Sequence, residues 1–112
     1  MSINRIILTV VLILGFSGEA FGNVAVGRGK INYVENGWFG EGLVIHFSQN
    51  GPPGCSASLN DLAIDKNHAA YKELVAMAIA AYTSDSNVEL MVEDGTCLFG
   101  GRTKILSIRL VK

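Results

Sequence analysis

One segment of this chain has the composition of a long helix, and that narrows the fold more than any other feature. His68 to Thr83 is rich in Ala and Leu and contains neither glycine nor proline. The rest reads as short β-forming stretches punctuated by turn residues. From Val24 to Val34, Val, Ile and Tyr alternate with Gly27 and Gly29, giving a strand weakened by glycine. Glu35-Asn36-Gly37 is a hairpin turn signal, because Asn-Gly tolerates the positive φ of tight turns. Phe39 to Phe47 resumes strand character, with Leu43, Ile45 and Phe47 on one face and Val44 and His46 on the other. Ser48 to Gly54 is a turn-rich loop. Cys55 to Ile64 reads as a third strand with a bulge at Asn60-Asp61, and Asp65 or Asn67 can cap the helix. After the Ser84-Asp85-Ser86-Asn87 stop come a strand from Val88 to Val92, a loop carrying Cys97, and a last strand from Thr103 to Val111. The expected order is β-β-β-α-β-β, a mainly β fold with one helix.

The first twenty-two residues stand apart from this fold. Met1 to Arg5 is a short, positively charged start, Ile6 to Phe16 an uncharged apolar run, and Ser17 to Gly22 a small, polar end with Ala20 and Gly22 where a signal peptidase needs small residues. A membrane-spanning helix takes about 20 apolar residues, so the run is short for a span, and the alternative to a cleaved signal is an uncleaved N-terminal anchor. No cysteine follows it to carry a lipid. Residues 1–22 are therefore expected to be a signal peptide cleaved near Gly22, and residues 23–112 a single domain that is secreted or periplasmic. Without Arg5 and Glu19, the nine basic and ten acidic side chains of the whole sequence become eight and nine. That balance gives no electrostatic footprint for nucleic acid and no polybasic patch for anionic lipid.

Cys55 and Cys97 are the two cysteines of the sequence. In an exported chain an even count reads as a disulfide, and a domain this small benefits from one. A redox pair would show C-x-x-C spacing, which is absent.

The helix also bears on assembly. Tyr71, Leu74, Val75, Ala78 and Tyr82 recur at the spacing of a buried face. The opposite side offers Ala76, Met77, Ile79, Ala80 and Ala81 where a solvent face would be charged. Two explanations follow: a subunit contact in a homo-oligomer, or a helix whose small alanines cost little when exposed.

The run Ala70-Tyr71-Lys72-Glu73-Leu74-Val75-Ala76-Met77-Ala78-Ile79-Ala80-Ala81-Tyr82, a polar turn, Asn87 to Val92, then Cys97 and the strand Ile105 to Leu110 resemble the B subunits of bacterial AB toxins of the subtilase-cytotoxin and pertussis-like type. They are similar, too, to small bacterial secreted proteins of the same layout. The resemblance covers roughly residues 55–112. It implies an OB-fold-like five-stranded barrel over residues 23–112, with the helix between the third and fourth strands. It also implies a ring of copies with helices lining the centre, and a glycan on the barrel surface. No residues of the N-terminal half match the toxins' sugar-contacting motif.

Little in the sequence offers catalysis. His46 and His68 lie in different elements and form no metal-ligand spacing. No serine stands in a G-x-S-x-G elbow, Gly27-Arg28-Gly29-Lys30 lacks phosphate-loop spacing, and Glu41 and Asp61 stand alone. No enzyme activity, metal or cofactor is expected. The aromatics offer more: Tyr33, Trp38 and Phe39 bracket the Asn36-Gly37 turn, the loop joining the first two strands. In OB-folds that loop frames ligand binding. Trp38 either stacks on a sugar or closes the barrel end as core. The expectation is a non-enzymatic binding module, a toxin-B-subunit-like oligomer for a glycan or protein. The alternative is a small periplasmic inhibitor or protective protein acting as a monomer.

Overall fold

The computed structural model describes residues 22–112. The expected signal peptide, apart from Gly22, lies outside the described residues. Among these, no helix is long and apolar enough to cross a membrane. Strands β1 (Asn23–Gly29), β2 (Ile31–Asn36), β3 (Gly42–Phe47) and β4 (Asp61–Asp65) precede helix α1 (Tyr71–Ser84), and β5 (Asn87–Leu98) and β6 (Arg102–Val111) follow it. The fold is mainly β with one helix.

The expected closed barrel of five strands is not the hydrogen-bonded arrangement. The strands form one six-stranded sheet in the order β1-β5-β6-β4-β3-β2, antiparallel except for the parallel β4–β6 pair. The extra strand arises because the stretch from Val24 to Val34 divides at Gly29-Lys30. The register of β1 on β5 shifts between Gly27 and Gly29, and that of β2 on β3 between Ile31 and Tyr33. The chain thus leaves one partner for another. Lys30, the single residue between them, donates its N–H to Ser48 Oγ at 2.8 Å and accepts from the Ser48 N–H at 2.9 Å. Two strands one residue apart in sequence thus lie at opposite ends of the sheet order, joined at Lys30 and not paired with each other.

Two other strands differ from expectation. From Cys55 to Asn60 the chain is turn rather than strand: Asp61 N–H donates to Ser58 O at 2.9 Å, and β4 begins only there. Strand β5 runs on to Leu98 and takes Cys97 out of the expected loop, resuming pairing with β6 at Cys97 opposite Thr103 after a register shift.

Alternation then builds the core. Ile45, Phe47, Leu62, Ile64, Val88, Leu90, Val92 and Ile105 point inward and are fully buried, each stabilising the fold by about 1.5–3 kcal/mol through loss of apolar surface to water. Helix α1 packs on β2, β4 and β6 and adds Leu74, Ala78 and Ala81. Its start is not capped by Asp65 or Asn67. Instead His68 Nδ1 accepts the Ala70 N–H at 2.9 Å while its Nε2–H donates to Leu106 O at 3.1 Å, tying the helix entry to β6. The other end closes on Asp85 in a left-handed conformation, with Ser86 N–H donating to Ala81 O.

Cys55 and Cys97 form a disulfide, with their Cα atoms 5.6 Å apart. It fastens the long β3–β4 connection to the end of β5, helped by the Ala57 N–H donating to Gly101 O at 2.9 Å.

Candidate ligand site

The β2–β3 loop is built to hold two aromatic rings in the open. Gly37 N–H donates to Gly42 O at 2.8 Å, and Gly40 N–H to Gly37 O at 3.1 Å. The left-handed residue is Gly40, with φ 78°, so the loop is longer than the two-residue turn expected at Asn36-Gly37. Glu41 Oε1 accepts the Phe39 N–H at 2.7 Å and steadies the tip. Trp38 is 91% exposed and Phe39 86%. Trp38 is therefore exposed and does not close the end of the fold as core.

Behind the tip, cross-strand register sets the outer face. Tyr33 lies opposite His46, Glu35 opposite Val44, and His46 opposite Asp61. Tyr33 stacks on His46 with ring centroids 4.6 Å apart and planes within 9°. His46 Nδ1–H donates to Asp61 Oδ1 at 2.6 Å, while Nε2 accepts from the Asn60 side-chain amide at 3.0 Å. Partial burial and the neighbouring Asp61 carboxylate, which also accepts from the phenol at 3.4 Å, push the Tyr33 pKa above its ordinary value.

The opposite wall comes from the β5–β6 turn. Arg102 Nη1 donates to Phe99 O at 3.2 Å, its guanidinium carbon sits 5.7 Å from the Phe99 ring centroid, and Nη2 lies 4.0 Å from Glu35 Oε1. Between the walls is a cleft of about 370 Å³, lined among others by Glu35, Trp38, Phe39, Phe99 and Arg102. Trp38 and Phe39 thus share one site. Tyr33 stands farther along the same face, in the His46–Asp61 cluster and not in the cleft lining.

Phe99, Arg102 and the pairing of His46 with Asp61 were not legible from spacing. Arg102 meets Glu35 only through tertiary folding across a long sequence interval. His46 and Asp61 face each other only once the β3–β4 register is known, and Asp61 is paired rather than alone. The His46–Asp61 pair has the form of a base and its orienting carboxylate, but Nε2 is occupied by Asn60. Among the described residues no group of three His, Cys, Asp or Glu side chains is placed to hold a metal ion.

The expected outer helix face is largely present. Ala76, Met77 and Ala80 border a shallow groove with Ser107, Ile108, Arg109 and Leu110, and Ile79 is 47% exposed. Ala81 does not belong to it: at 1% exposure it is core, because it follows Leu74 and Ala78 on the inward stripe. Tyr82, expected inside, is 44% exposed. No family model matches the chain, and neither a curated protein nor a solved structure does.

Proposed function

We propose that this protein is an exported, non-enzymatic binding module that takes a glycan at the Trp38–Phe39 tip and the cleft behind it. One observation carries the reading: two adjacent aromatic rings stand almost wholly in water at the mouth of a cleft that also holds a carboxylate and a guanidinium. Exposed rings of this size are costly unless something covers them, and an aromatic face suits the C–H face of a sugar. The finer fold reading supports the same site. If β1 and β2 are taken as one strand bent at Lys30, the sheet order becomes that of an OB-fold, with the parallel β4–β6 pair in place and the helix between the third and fourth strands. The cleft then lies between the loops that frame ligands in such barrels. The disulfide suits an oxidising compartment, in line with a cleaved signal peptide.

The groove beside α1 adds self-association to the proposal, since its lining, mostly apolar apart from Ser107 and Arg109, is a surface a second copy can cover. A monomer would favour the inhibitor-like alternative, with the same tip inserted into a protein partner.

Trp38 is the sole tryptophan of the sequence, so its fluorescence reports the site directly. Titration of the mature protein with a glycan panel should give a saturable change for at least one member, weakened in Phe39→Ala. A flat response across the panel, together with capture of a protein partner lost in Trp38→Ala, would replace the glycan by a protein.

A further inference from the structure

We infer that the cleft selects an uncharged sugar ring, held through a hydroxyl shared between Glu35 and Arg102, and discriminates against sugars bearing a carboxylate; this rests on the glycan reading above. Arg102 Nη2 and Glu35 Oε1 are 4.0 Å apart, an ion pair too long for a direct hydrogen bond. Each keeps hydrogen-bonding capacity for a third group. A hydroxyl fits between them in both senses, accepting from the guanidinium and donating to the carboxylate. A ligand carboxylate can only accept: it satisfies Arg102 and meets Glu35 with like charge. Glu41 adds a second carboxylate to the lining against one guanidinium, so the cleft holds no surplus positive charge for an anion.

Of the other guanidinium nitrogens, Nη1 is bonded and Nε is buried without a hydrogen-bond partner. Nη1 holds the group to Phe99 O, and the guanidinium carbon lies over the Phe99 ring. Arg102 is therefore a preorganised donor and not a mobile one that could swing towards an anion outside the cleft. At about 370 Å³ the cleft is at the small end of ligand sites, a scale for a terminal ring and not for a long stretch of polymer. Trp38 and Phe39 at the mouth supply the stacking surface for that ring.

The experiment titrates Trp38 fluorescence with lactose, maltose and chitobiose, and in parallel with sialyllactose and digalacturonate. A neutral sugar should bind at least about tenfold tighter than every acidic one, a difference of about 1.4 kcal/mol. In Glu35→Gln that ratio should collapse towards one, because the like charge is removed while the hydrogen-bonding shape is kept. Loss of folding alone would lower all affinities without changing their ratio, and an unchanged urea midpoint in Glu35→Gln checks the point. Acidic sugars binding as tightly as neutral ones, or a ratio unmoved by Glu35→Gln, would overturn the specificity while leaving glycan binding in place. If no probe and no member of the wider panel perturbs Trp38, both readings fall.

Discussion

Replacing both Cys55 and Cys97 with alanine tests how far this small domain depends on its cross-link. The two residues are separated by 42 positions, and the intervening chain includes β4, α1 and most of β5. Opening a loop of that length returns to the unfolded chain an entropy that destabilises the fold by about 4 kcal/mol. Domains of this size have a total stability of about 5–15 kcal/mol, so the variant should remain folded with a much narrower margin. The assay is urea unfolding followed by far-UV circular dichroism. The midpoint should fall, and the slope of stability against urea should rise, because an uncrosslinked unfolded chain exposes more surface. On heating, the loss corresponds to a midpoint lowered by about 15–30 °C. A stability loss below about 1 kcal/mol with an unchanged slope would refute the reasoning, since the bridge would then not be constraining the unfolded state.

Four further outcomes are expected. Gly42→Ala should cost about 2–3 kcal/mol or more, measured by urea unfolding, because a Cβ there would overlap the Ile64 carbonyl oxygen of the paired strand. Stability should decline at alkaline pH: the Tyr33 phenol has a folded-state pKa raised above its unfolded value, so its contribution is complete below about pH 10 and lost as pH rises through the folded value. In Tyr33→Phe this part of the pH dependence should vanish, and its persistence would show that another group is responsible. Ala80→Arg should shift the oligomer towards monomer in sedimentation while leaving the circular dichroism unchanged; wild type already monomeric at about tens of micromolar would refute the contact. N-terminal sequencing of exported protein should begin at Asn23, and full-length protein retained in the cytoplasm would refute export.

Local pattern made much of the fold legible. The alternation of Leu43, Ile45 and Phe47 put the correct face of β3 inward, and the composition of His68 to Thr83 placed the helix within three residues of its start and one of its end. What pattern could not reach was decided by partners far away in sequence. Val24 to Val34 looks like one strand because nothing local says that its halves pair with different neighbours. Cys55 to Asn60 alternates like a strand, yet the disulfide and turn hydrogen bonds hold it off the sheet. At the candidate site the aromatic pair Trp38-Phe39 was visible as a turn-flanking feature. Arg102 and Phe99, which complete the cleft, arrive from a loop more than sixty positions away from Glu35 and gave no local signal.

The division of the first strand at Lys30 has a consequence for the order in which the molecule can assemble. Strand β2 finds its partner β3 across a short loop, so this hairpin can form as soon as residues up to Phe47 exist. Strand β1 must wait for β5, with Asn23 opposite Glu93. The beginning of the domain therefore stays unpaired until nearly all of it has emerged, a high-contact-order closure that slows folding. For a chain that is exported, as proposed, this delay keeps an incomplete translation product from locking into its final shape. Removal of β6 should have a related effect: β5 and β4 lose the strand that joins them, and the β1–β5 pair is cut from the rest of the sheet, left attached through Lys30, the chain from α1 and the Cys55–Cys97 bridge.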